Sequence, residues 1–214
     1  MVTELILPAM AETIYMVVLS LFFSAAIGVP LGLLLVVTGQ GHLLPKASLN
    51  LILTAVINIS RSVPFIIMMV AVVPFTRLMV GSTIGTTAAI VPLSLSAIPF
   101  VARVTESAIR EVDTGLIEAA LSMGASPGQV VRRVLISEAL PGLVRGLTLT
   151  AINLIGYSTM AGVLGGGGLG NLAIRFGYQR FQTDVMVVTV VLLLVLVQIL
   201  QSVGDRLVVH FSRK

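Results

Sequence analysis

Long stretches without a charge constrain the fold of this chain more than any other feature. Residues 13–45, 78–102, 146–174 and 185–204 contain no Asp, Glu, Lys or Arg, and residues 47–76 are interrupted only by Arg61. Each run is near or above the roughly 20 residues that an α-helix needs to cross a hydrocarbon core. A backbone in lipid must satisfy its own hydrogen bonds, so irregular structure is confined to protected places. With 57% hydrophobic and 10% charged residues, the chain lies far from the balance of a soluble domain. The expected fold is an all-α membrane protein with five transmembrane helices, forming a single transmembrane domain over residues 1–214.

The charges that remain set the topology. Glu4 and Glu12 precede the first run and no basic residue occurs before Lys46, so the start lacks the basic region of a secretory signal. It is expected to be retained as a span. An N-out, C-in arrangement puts Lys46, Arg61, Arg103, Arg110, Arg132, Arg133, Arg145, Arg206, Arg213 and Lys214 inside and leaves Arg77, Arg175 and Arg180 outside. Ten against three obeys the positive-inside rule. The net charge of +4 then reflects topology and makes no case for nucleic-acid binding. Cysteine is absent, and His42 and His210 sit far apart at span ends, so neither a metal centre nor a catalytic constellation is expected.

Several polar and small residues inside the spans need protein neighbours. Gly28 and Gly32 have the small-xxx-small spacing that lets helices approach closely. Asn50, Thr54, Asn58 and Arg61 recur at helical intervals and form one stripe that has to avoid lipid. Arg61 is expected to be a structural or interface residue at the cytoplasmic edge, where Pro64 ends one helix and starts another. Pro92 and Pro99 place the third span against protein rather than lipid. The fourth span, about residues 146–162, leads into Gly165-Gly166-Gly167-Gly168-Leu169-Gly170. That run matches G-x-G-x-x-G, but it follows a membrane helix instead of a strand, so a nucleotide site is rejected in favour of a tight loop at an outer gate.

Ten of the 22 charged residues fall between Arg103 and Arg145, a hydrophilic island in an oily chain. Asp113 or Thr114 can cap a short helix, with Leu116, Ala119, Ala120 and Met123 on one apolar face. Gly124 fits the left-handed position past its end, and Ser126-Pro127-Gly128-Gln129 reads as the capped start of a second helix. The island, about residues 113–141, therefore reads as helix, turn, helix. Its spacing alone leaves open whether it docks a partner or packs on its own helices.

The pattern Glu118-Ala119-Ala120, three residues, Gly124 resembles the EAA loop of permease subunits of bacterial ABC importers. Ile136-Ser137 departs from the Leu-Pro often found there, with Leu140-Pro141 arriving later. Further along the chain, 61–66, 90–93, 114–119, 156–162, 166–170 and Gly177-Tyr178 are similar to permeases of methionine-uptake ABC importers.

The resemblance implies a type I ABC importer permease in the bacterial inner membrane, working by alternating access on methionine, D- and L- alike. It implies that Glu118, Ala119, Ala120, Met123 and Gly124 couple to a cytoplasmic ATPase. The implied partners are two ATPase copies, which carry ATP and magnesium, a second permease and a periplasmic or lipid-anchored methionine-binding protein. This chain has no Walker motif and no cofactor of its own is expected. Met160 is the expected gate residue, with Tyr157 and Ser158 lining the path, against a competing role in interhelical packing. A permease for another small nutrient, or a membrane scaffold that recruits a soluble protein, are the alternatives.

Overall fold

The structure is a computed structural model that describes residues 2–212. Arg213 and Lys214, assigned above to the inner side, lie outside the described residues. The described chain is helical and contains no strand. Its helices are α1 (Val2–Val37), α2 (Ala47–Ser62), α3 (Phe65–Ala71), α4 (Val73–Val80), α5 (Thr86–Arg110), α6 (Thr114–Ser122), α7 (Pro127–Val130), α8 (Ile136–Ala161), α9 (Gly168–Leu172) and α10 (Thr183–Ser212).

α5 is the central helix, gripped on two sides through glycines. A Cβ on Gly28 of α1 would lie 2.7 Å from Val101 Cβ, and one on Gly32 would lie 2.6 Å from Thr105 Cβ. On the other side, Cβ atoms at Gly142 and Gly146 of α8 would each lie 2.9 Å from a Cβ, those of Ala108 and Val104. Lipid offers no hydrophobic drive between helices, so close backbone approach supplies the van der Waals contact that holds them. The expected Gly28/Gly32 seam is thus present, and a second one joins α5 to α8.

Four helical stretches are long and apolar enough to cross a membrane: Leu5–Val37, Thr86–Arg110, Pro127–Gly166 and Thr183–Ser212. The remaining expected span is broken, because α2 and α3 are bent by 102° at Ser62-Val63-Pro64. Pro64 has no N–H for the helix ladder and drives Val63 to an extended φ, ψ of −79°, 121°. A fifth crossing exists only if this bent pair is counted as one span.

Two boundaries also differ from expectation. α1 already includes Glu12 and ends at Val37, so its apolar run spills into the following turn. The island's second helix does not end near Pro141. It continues from α7 through a π-helical turn, Val131–Leu135, into α8, with Pro141 inside the helix. Pro141 removes one main-chain donor, and α8 tolerates the loss because it is otherwise packed on α5 and α10.

The bundle has two distinct ends. Gly168 N–H reaches Glu12 and Gly85 N–H reaches the Gly165 carbonyl, so the starts of α1 and α5 meet the end of α8 at a glycine-rich end. At the other end Val36 packs with Ile109, Val112, Val130 and Leu135 beneath α6. α1 and α5 therefore run one way and α8 the other.

Candidate functional site

α6 is a short helix fixed at both ends. Asp113 Oδ1 accepts from Gly115 N–H at 2.7 Å. At the other end Gly124, with φ of +83°, donates its N–H to the Leu121 carbonyl at 2.9 Å, and Ala125 N–H donates to the Ala120 carbonyl at 3.0 Å. This pair of bonds is a Schellman motif, which consumes the free carbonyls of the last turn. Ser126 N–H then donates to Gln129 Oε1 at 2.8 Å to open α7, with Pro127 at its first position.

No residue of α6 is fully buried. Ile117 and Ala120 rest on the cluster around Val112 and Val130, while Leu116, Glu118, Ala119 and Gly124 are exposed and Met123 is 86% exposed. The expected apolar face therefore divides, with Ala120 turned toward its own bundle and Leu116, Ala119 and Met123 left uncovered. Glu118 also borders a cleft of about 320 Å³ formed with His42, Thr114, Ile117, Leu121 and Pro127. Burial, and secondarily the Arg110 guanidinium, hold the His42 imidazole below its ordinary pKa.

The polar stripe on α2 finds partners along part of its length. Asn50 Nδ2 donates to the Leu35 carbonyl at 2.6 Å and to Thr38 Oγ1 at 3.1 Å. Arg103 of α5 donates to Asn58 Oδ1 at 2.6 Å and to Glu106 Oε2 at 2.5 Å. Glu106 also accepts from Arg110 at 3.0 Å. The i, i+3 and i, i+4 spacing of Arg103, Glu106 and Arg110 was the available sequence signal for this network. Arg61 and Pro64 are exposed at the break, and Arg61 has no carboxylate partner among the described residues.

The three expected path residues face different ways. Ser158 is 1% exposed, and its hydroxyl donates to the Ile155 carbonyl at 2.7 Å. Tyr157 stacks on Phe65, just beyond Pro64, with ring centroids 4.8 Å apart. Met160 is 38% exposed, on a face of α8 shared with Leu149, Asn153 and Gly156. Only Met160 looks away from the bundle.

Beyond Met160 the glycine-rich segment folds back on the bundle. Asn171 Nδ2 donates to the Gly162 carbonyl at 3.1 Å, and Gly167 and Gly168 have φ of +79° and +76°. Glu12 contacts this segment from α1, a role that sequence reading missed because the partner lies 156 positions away. No group of three or more His, Cys, Asp or Glu that could hold a metal ion occurs among the described residues.

Residues 28–214 match the family model described as binding-protein-dependent transport system inner membrane component. A Vibrio cholerae protein named probable D-methionine transport system permease protein MetI is 55% identical over 206 residues, covering 96% of this chain and 92% of that protein. The Escherichia coli K12 D-methionine transport system permease protein MetI is 53% identical over 151 residues, covering 71% of this chain and 70% of that protein. A solved chain of the MetNI methionine ABC transporter in an inward-facing conformation superposes with a TM-score of 0.96 at 48% identity, covering 98% of this chain and 97% of that chain. A more distant amino acid ABC transporter chain shares the fold, with a TM-score of 0.74 at 20% identity over 99% of this chain and 95% of that one.

Proposed function

The chain belongs to the family of binding-protein-dependent transport system inner membrane components, and from that premise we propose that it is the permease subunit of an ATP-driven importer of D- and L-methionine. The observation that carries the coupling part of this reading is α6: a helix held at both ends whose outer residues Leu116, Ala119 and Met123 are exposed. A rigid, exposed apolar surface of this kind transmits a push with little loss to bending, and a soluble ATPase is the partner it suits.

In the proposed arrangement α6 faces the cytoplasm and the glycine-rich end faces outward. Two permeases pair with the exposed face of α8 toward the pathway, and one ATPase sits on each α6. A substrate-binding protein delivers methionine to the outer end. ATP and magnesium act on the ATPase subunits, and this chain performs no chemistry. ATP binding draws the two α6 helices together and opens the outer side; hydrolysis returns the bundle to an inward-facing state. Met160, exposed where α8 meets the glycine-rich segment, closes the path between these states.

Uptake of labelled D- and L-methionine by vesicles that contain the full complex tests the reading. ATP-dependent uptake that unlabelled methionine competes out is the expected result. Uptake without ATP would remove the coupling mechanism, and indifference to methionine would overturn the substrate.

A further inference from the structure

The glycine-rich segment is not held by its own flexibility but by two consecutive residues of α1. Gly168 N–H donates to Glu12 Oε2 at 2.6 Å, and Leu169 N–H donates to Thr13 Oγ1 at 2.9 Å. Thr13 is 1% exposed and donates its own proton to the Ala9 carbonyl at 3.0 Å, which leaves the oxygen's lone pairs aimed at Leu169. The glycines make room for these two side chains. A Cβ on Gly167 would lie 2.6 Å from Glu12 Oε2, and one on Gly168 would lie 2.7 Å from Thr13 Oγ1.

α9 is joined equally closely to the end of α8. A Cβ on Gly162 would lie 2.5 Å from Asn171 N, and the Asn171 amide donates to the Gly162 carbonyl. Leu169 is fully buried against Ala9, Leu172 and Val185. Gly162 lies two residues beyond Met160. A continuous chain of contacts therefore runs from Glu12 and Thr13 through α9 to the turn that carries Met160. Glu12 forms no ion pair among the described residues, so its carboxylate serves this main-chain donor.

We propose that Glu12 is a positioning residue for the outer gate: with Thr13 it locks the glycine-rich segment to α1, so that the Met160 end of α8 and the start of α1 move as one body during transport. This rests on the permease reading above. The glycines then permit close contact and do not act as a hinge.

The test uses the full complex in vesicles and measures methionine transported per ATP hydrolysed, together with assembly yield and thermal midpoint. Glu12→Ala is expected to keep assembly while transport per ATP falls roughly tenfold or more, the scale of losing one charge-assisted hydrogen bond. Glu12→Gln keeps an acceptor oxygen and is expected to restore most of the coupling. An unchanged ratio in Glu12→Ala, or equal defects in the alanine and glutamine variants, overturns the proposal. Should Glu12→Ala fail to assemble, Thr13→Val decides, since it keeps the volume and removes the acceptor for Leu169, losing besides only a hydroxyl bond within α1 to the Ala9 carbonyl: reduced coupling supports the lock and parental coupling overturns it. Failure of the parent complex to take up methionine would instead remove the permease reading.

Discussion

Gly32 of α1 and Thr105 of α5 face each other with no room for a methyl group between them: a Cβ at Gly32 would lie 2.6 Å from Thr105 Cβ. Thr105 is 1% exposed and its hydroxyl has no hydrogen-bond partner among the described residues. At this point the seam is held by close packing, and that makes it sensitive to volume.

Gly32→Ala is therefore expected to force α1 away from α5. Overpacking of this kind costs about 1–3 kcal/mol. A lowered thermal midpoint of the detergent-solubilised protein checks it, and Gly156→Ala serves as the control because nothing lies within 4 Å of that position.

Gly124 separates conformational strain from steric block. A Cβ there meets nothing within 4 Å, but φ is +83°, which L-residues other than glycine adopt at a cost of about 1–2 kcal/mol. Gly124→Ala is expected to fray the end of α6 and weaken ATPase co-purification while membrane insertion is unaffected. Gly124→Asp adds charge and bulk beside the exposed Met123 and is expected to abolish co-purification. Retention of a fully coupled ATPase by Gly124→Asp would exclude α6 as the docking helix.

His42 predicts a pH dependence at the same end. Its pKa is depressed in the folded protein, first by burial and then by Arg110, so the unfolded chain takes up a proton more readily. The stabilising effect of the neutral imidazole is complete above the ordinary histidine value of about 6.5 and is lost as pH falls through the lower folded value. Thermal midpoints measured across that acidic range are expected to drop less in His42→Gln than in the parent.

Met160 is exposed while Ser158 is buried and satisfied. Met160→Ala is expected to alter transport and basal ATP hydrolysis in reconstituted complex. Ser158→Ala, which removes a hydroxyl bonded within its own helix, is expected to change transport little. Indistinguishable behaviour of Met160→Ala and the parent would remove the gate assignment.

Much of this architecture was legible in the residues because membrane physics leaves few options. Charge-free runs marked helices, and Gly28 and Gly32 marked a close seam that the fold contains. Asp113, Gly124 and Ser126-Pro127 encode their caps locally, with bonded partners no more than five residues apart, and the helix ends stand where those signals put them. The extent of the break at Pro64 was not legible: a proline announces an interruption but not a bend of 102°. Nor was the continuity of α7 into α8, since Pro141 signals an end that packing overrides.

By itself, then, the sequence determined the helical class, the membrane setting and the caps of α6, because these depend on hydropathy and on neighbours a few residues apart. Only the tertiary structure decided that Glu12 and Thr13 hold Gly168 and Leu169, that Arg103 bridges α2 and α5, and that Met160 turns outward while Ser158 turns in. Those contacts join residues 45 to 156 positions apart, and helical periodicity says which face a residue shares but not what stands opposite it.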